Sequence, residues 1–230
     1  MTQQTIATTR SPAPSCDRQT SVTKSLLGYG VIAGPLYVAA WLAQALTRDG
    51  FDLTRHPASV LANGELGWIQ VANFVGTGLM TVAAAAGVRR ALGPGPGATW
   101  LPRLLGGYGV ALVAAGIFRA DPMDGFPLGT PAGPAAEVSW HGVVHFVSAG
   151  IGFWALIAAC LVAARRFRAR GDRTWAAYST ATGVLFLGAF AGIASGSANA
   201  AVTIAFGVAV VLAWAWVAAL SARLYRAVTR

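Results

Sequence analysis

TWAAYSTATGVLFLGAFAGIASGSANAAVTIAFGVAVVLAWAWVAALSA, residues 174–222, runs for 49 residues without an Asp, Glu, Lys or Arg. A bilayer core takes about 20 apolar residues per helix, so this stretch is long enough for two spans and a turn. The turn is legible at Ser195-Gly196-Ser197-Ala198-Asn199, where small and turn-favouring residues cluster. It divides the stretch into helices over residues 175–194 and 201–220. Working outward, the charge-free gaps 25–47, 66–88, 104–118 and 138–164 predict helices over 26–47, 67–88, 104–120 and 140–164. The fold class that follows is an all-α, polytopic bundle of six transmembrane helices. It forms a single domain over residues 24–230. Residues 1–23 are rich in Thr, Gln, Ser and Pro and lack an apolar core. They read as a disordered cytoplasmic tail rather than a cleavable signal peptide.

The basic residues between the gaps give the orientation. Fourteen of the seventeen fall in four clusters: Arg10/Arg18/Lys24, Arg89/Arg90/Arg103, Arg165/Arg166/Arg168/Arg170/Arg173 and Arg223/Arg226/Arg230. These clusters alternate with loops that carry only Arg48, Arg55 and Arg119 but six of the eight acidic residues. Cytoplasmic segments of membrane proteins carry the excess of Lys and Arg, so both termini are expected in the cytoplasm and the protein in the plasma membrane. Trp68 and Trp140 then fall at the outer interface, and Trp100 and Trp175 at the inner one.

With 55% hydrophobic and 11% charged residues, the chain is too apolar for an ordinary soluble domain. A net charge of +9 would suit nucleic acid, but its confinement to helix ends excludes that reading. Cys16 and Cys160 suggest neither a disulfide nor a metal site. Gly30-xxx-Gly34 and Gly188-xxx-Gly192 are small-residue pairs that permit close helix approach. A short repeat relates residues 27–31 (LGYGV) to 106–110 (GGYGV).

The chemistry-bearing side chains gather at the outer end. His141 and His145 open helix 4 at i, i+4 spacing, which shares one face. That spacing is found in metal sites, and His56 with Asp121 or Asp124 would complete a Zn²⁺ site with a position open to water. The alternative is two interfacial histidines bonded to loop carbonyls. Arg119 and Asp121 follow a helix with only 15 uncharged residues before Arg119, so either that helix ends early or the pair dips into the headgroup region. Arg119 pairs naturally with Asp121, Asp124 or Glu137. Arg55, His56 and Ser59 in loop 1 form either a surface helical turn or a lid over a pocket. Asn73, Thr77 and Thr81 lie on one stripe of helix 2, suited to bonds across helices. No phosphate loop or nucleophile elbow is present. Ionisable residues near the bilayer midplane, which transport would favour, are also lacking.

Four features carry a resemblance. They are Gly34-Pro35, the loop Arg55-His56-Pro57-Ala58-Ser59 before Asn63-Gly64 and Gly67-Trp68, the run from Gly116 to Pro122 (GIFRADP), and His141-Gly142. Together they resemble the bacterial and archaeal membrane family catalogued as domain of unknown function 998, over about residues 26–220. The resemblance implies six transmembrane helices and no assigned activity. It also implies that Ser59, Asp121 and His141 occupy the family's polar motif positions. In residue types alone, Ser59, Asp121, His141 and His145 are also similar to the seven-helix membrane hydrolases that include alkaline ceramidases. The leading expectation is a polar outer-leaflet pocket that binds a lipid or small amphiphile, built from Arg55, His56, Ser59, Arg119, Asp121, His141 and His145. The alternatives are a metal-dependent hydrolase of lipid amides or esters, with His56, His141 and His145 as ligands and Asp121 as a fourth ligand or the base, and a non-catalytic assembly subunit; Ser59, Asp121 and His141 are the catalytic candidates.

Overall fold

A computed structural model of the chain describes residues 15–135, 137–197 and 199–228. Six α-helices follow in order: α1 (Ser15–Thr47), α2 (Gly67–Ala91), α3 (Trp100–Ile117), α4 (Trp140–Ala169), α5 (Arg173–Ala194) and α6 (Ala200–Val228). A 3₁₀ turn over Ala58–Ala62 precedes α2, and no strand occurs among the described residues. Each α-helix is long and apolar enough to cross a bilayer. Every helix packs on its neighbours in sequence and α6 returns to α1, so the six close into a ring. Large apolar side chains such as Leu46, Trp68, Ile151 and Trp154 point outward, as a lipid solvent requires.

Two boundaries differ from the sequence reading. Helix α1 begins at Ser15, so residues 15–23 form its first turns instead of a disordered tail. Residues 1–14, with Arg10, lie outside the described residues, as does Arg230. Helix α3 ends at Ile117, three residues early, because Phe118 turns extended at φ −95°, ψ 106°. The apolar run continues through Ile117 and Phe118, so hydropathy does not mark the break. Helices α4 and α6 continue beyond their charge-free gaps, through Arg165–Arg168 and Arg223–Arg226. Arginine is a good helix former and can extend its charged head to the interface.

Contacts at the end holding α1's start and α6's finish tie four helices together. The Lys24 ammonium lies over the Tyr225 ring at 5.9 Å. Arg223 pairs with Asp172 at 2.6 Å and its guanidinium covers Trp175 at 4.8 Å. Arg166, only 1% exposed, donates to the carbonyls of Gly93 and Pro96 and so fastens the α2–α3 turn to α4. At mid-depth, backbone approach sets the packing. A Cβ on Gly109 would lie 2.7 Å from the Gly78 carbonyl oxygen, and one on Gly78 would lie 2.8 Å from that of Gly109. The Gly30/Gly34 pair also admits close neighbours, Ser221 and Trp214 of α6. In the second expected pair, Gly192 abuts Val202 while Gly188 meets nothing. The LGYGV/GGYGV repeat retains its close-packed glycine, since Gly30 and Gly109 both face a partner helix. Its tyrosines diverge, with Tyr29 exposed and Tyr108 buried.

Candidate functional site at the loop end

Three side chains lock the two long loops together. Asp124 occupies the left-handed region at φ +53°, which turns its carboxylate and carbonyl toward loop 1. Arg55 donates to both carboxylate oxygens, Nε to Oδ2 at 3.0 Å and Nη2 to Oδ1 at 2.8 Å, and also to the Asp124 carbonyl at 2.7 Å. His56 is 2% exposed and packs on Phe51 and Phe126. Its Nδ1 accepts from the Asp52 N–H at 2.9 Å, which places the proton on Nε2 for donation to the Asp124 carbonyl at 3.0 Å. Arg48 donates to the carbonyls of Leu61 and Asn63 and lies over the Phe126 ring.

The Arg55 side-chain bonds, followed by the Gly133 N–H, hold the Asp124 carboxyl down at about 2, against an ordinary 3.8. A depressed carboxyl stabilises the fold fully above 3.8 and ceases to do so as pH falls through about 2. The Asp124 side-chain carbonyl carbon is therefore expected to titrate by NMR with a midpoint near 2, and Arg55→Gln is expected to raise it toward 3.8. A wild-type midpoint already at 3.8 would show that the clasp does not form.

Beneath the clasp, Asp121 anchors the start of α4. Its carboxylate accepts from the Ser139 N–H at 3.0 Å and from the Ser139 hydroxyl. Ser139 is the N-cap of α4, its Oγ accepting from the Gly142 N–H at 3.0 Å. A carboxylate here also meets the positive end of the helix dipole. Gly142 leaves the space that Asp121 fills, since a Cβ on it would overlap the carboxylate. This contact accounts physically for the glycine of the His-Gly pair at the opening of the helix. One turn on, His145 is 3% exposed, and its Nδ1–H is shared between the carbonyls of Ala115 and Phe118 at 2.9 and 2.8 Å. These are groups that the early end of α3 leaves without helical partners.

Between these braces lies a cleft of about 310 Å³ whose lining includes Asn63, Ile117, Arg119, Asp121, Ser139 and His141. His141 is exposed and its ring lies tilted against Trp140 with centroids 3.6 Å apart. Arg119 is exposed and makes no hydrogen bond or ion pair among the described residues. Of its three expected partners, Asp124 is held by Arg55 and Asp121 by Ser139.

The cleft thus gathers Arg119, Asp121 and His141 of the expected residues. Arg55 and His56 serve the loop clasp, His145 serves the α3 end, and Ser59 sits half-buried on the 3₁₀ turn outside the cleft lining. The expected zinc centre of His56, His141, His145 and Asp121 does not assemble. Among the described residues, no three of His, Cys, Asp and Glu are grouped to hold a metal. Both nitrogens of His56 already have backbone partners.

A second polar group lies between α1 and α2, and of its members only Asn73 was anticipated. Gln44 of α1 and Gln70 and Asn73 of α2 are buried together. Gln44 donates to Gln70 Oε1 at 2.8 Å, and Asn73 donates to the Tyr37 carbonyl at 3.2 Å. Of the expected stripe, Asn73 alone crosses to another helix, because Thr77 and Thr81 bond back to their own helix at Asn73 and Thr77. Gln44 and Gln70 carry no charge to mark them, yet they interrupt otherwise apolar runs.

Six bilayer-length helices closed into a ring define a multi-pass membrane protein. The chain belongs to the family described as "Protein of unknown function (DUF998)", whose profile matches residues 31–223. No curated protein and no solved structure matches it.

Proposed function

We propose that this protein binds an anionic lipid or other small anionic amphiphile at the Arg119 cleft, in the outer leaflet of the plasma membrane. The Arg119 guanidinium, unpaired among the described residues, carries this reading. Of the three arginines at this end, Arg48 and Arg55 are committed to loop contacts. A cation left free beside a cleft suits a phosphate or carboxylate. The volume of about 310 Å³ accommodates a headgroup, not a whole lipid. Acyl chains would lie outside the cleft, along the exposed Ile117 and Trp140 at its rim. The outward orientation rests on the excess of Lys and Arg at the opposite end of the bundle.

Titration of short-chain phosphatidylglycerol and phosphatidylcholine into detergent-solubilised protein tests the proposal. Wild type is expected to prefer the anionic lipid. Arg119→Gln is expected to weaken that binding about tenfold, the loss of one partly exposed charge-assisted hydrogen bond, with the melting temperature unchanged. Equal affinity for the two lipids in wild type, or no change in the variant, would overturn it.

A further inference from the structure

The amide cluster between α1 and α2 is unsatisfied in a specific way. Gln44 uses its NH₂ on the Ala40 carbonyl and Gln70 Oε1. Gln70 Oε1 accepts from Gln44 and Asn73, and the Asn73 NH₂ donates to Tyr37 and Gln70. The bonds are mutually consistent, so they fix the orientation of all three amides. What remains is Gln44 Oε1, Asn73 Oδ1 and Gln70 Nε2, each buried and without a partner among the described residues. These amount to two acceptors and one donor group, on side chains at most 7% exposed. The indole N–H groups of Trp41 and Trp214 are likewise buried and unpartnered. Trp41 lies one turn from Tyr37 on α1, and Trp214 of α6 packs on Tyr37 with ring centroids 5.0 Å apart.

Buried polar atoms almost always have partners, and inside a bilayer bulk water does not provide them. The same bundle shows the satisfied arrangement, where fully buried Trp216 donates Nε1–H to Ser179 Oγ at 3.0 Å. Loop-end position also matters. Gln44 lies three residues from the end of α1, and Gln70 three residues from the start of α2, which is about one turn of depth.

We propose that Gln44, Gln70 and Asn73 form a binding site for a small neutral hydroxylic group. A hydroxyl oxygen accepts from Gln70 Nε2–H while its hydrogen satisfies an amide oxygen. Water, with two hydrogens, satisfies both Gln44 Oε1 and Asn73 Oδ1. No Asp, Glu, Lys or Arg occurs in residues 25–47 or 66–88, so nothing there balances a charged ligand. The same chemistry can come from water or from the alcohol of a lipid headgroup, and the experiment separates them.

The experiment is X-ray radiolytic labelling of the purified full-length protein, with modified residues mapped by mass spectrometry. Hydroxyl radicals formed from a bound water modify adjacent side chains even when these are buried. With water in the site, Tyr37, whose carbonyl accepts from Asn73, is expected to be labelled faster than half-buried Tyr178, although it is the more buried of the two at 5% exposure. With a lipid alcohol there, Tyr37 stays slower than Tyr178, and native mass spectrometry shows a co-purified ligand that is lost in Asn73→Leu. The wild-type comparison of Tyr37 with Tyr178 needs no variant, so a folding defect in Asn73→Leu does not decide it. Tyr37 slower than Tyr178, with no co-purified ligand, overturns the proposal.

Discussion

Gly142→Ala is expected to destabilise the protein by about 3 kcal/mol, the sum of overpacking and the loss of a helix cap. For a chain of this length that is a fall of roughly 6–12 °C in melting temperature. The added methyl group would overlap the Asp121 carboxylate, which is itself held by the Ser139 N–H and hydroxyl. Either α4 moves away from loop 2, or Asp121 leaves and the cap of α4 loses its brace. Gly150, about two turns further along α4, meets nothing within 4 Å. Gly150→Ala is therefore expected to be neutral or slightly stabilising. The mechanism makes a sharper demand on the double variant. With Asp121→Ala already in place, the space is open and Gly142→Ala is expected to cost far less than it does alone. Additive losses would show that the carboxylate is not what Gly142 accommodates.

Gly109→Ala is expected to cost a similar amount, about 3 kcal/mol, the upper range for overpacking a close contact. The obstacle is backbone, because the new Cβ would lie 2.7 Å from the Gly78 carbonyl oxygen and 3.0 Å from the Val82 nitrogen. Neither atom can change rotamer, so α2 and α3 must separate along their length. Small residues at such crossings are a principal means by which membrane helices pack. Gly76 of α2 meets nothing within 4 Å, and Gly76→Ala serves as the control. Thermal unfolding in mild detergent reads both. Equal stability of the two variants would contradict the close approach.

The helices were legible because one term dominates them. Charged side chains are so costly in the bilayer core that charge-free gaps mark spans almost directly. The gap from 174 to 222 yields α5 and α6 to within a residue at their shared turn, where the Asn199 side chain accepts from the Ala201 N–H. The site was legible only in residue type. Arg119, Asp121 and His141 do meet in one cleft. Which arginine takes Asp124 depends on a left-handed backbone and a loop crossing that local sequence does not encode. The three histidines suggested a metal because their spacing fits one. In the fold, His56 and His145 satisfy carbonyls exposed by a loop and by an interrupted helix. Of the Gln44–Gln70–Asn73 group only Asn73 was anticipated, and the two glutamines were hidden for a different reason. Neutral amides leave no mark in a charge pattern, although burying them without partners costs energy as well.

The claim that the Arg119 cleft holds an anionic headgroup, proposed above, is put to the test by crosslinking in lipid nanodiscs with a phosphatidylglycerol that carries a photoactivatable group near its phosphate. Peptide mapping is expected to place the crosslinks at Ile117, Arg119 and His141, residues that line one cleft. Arg119→Gln is expected to reduce them about tenfold. Crosslinks spread evenly over the lipid-facing helices, and unchanged by Arg119→Gln, would contradict the claim.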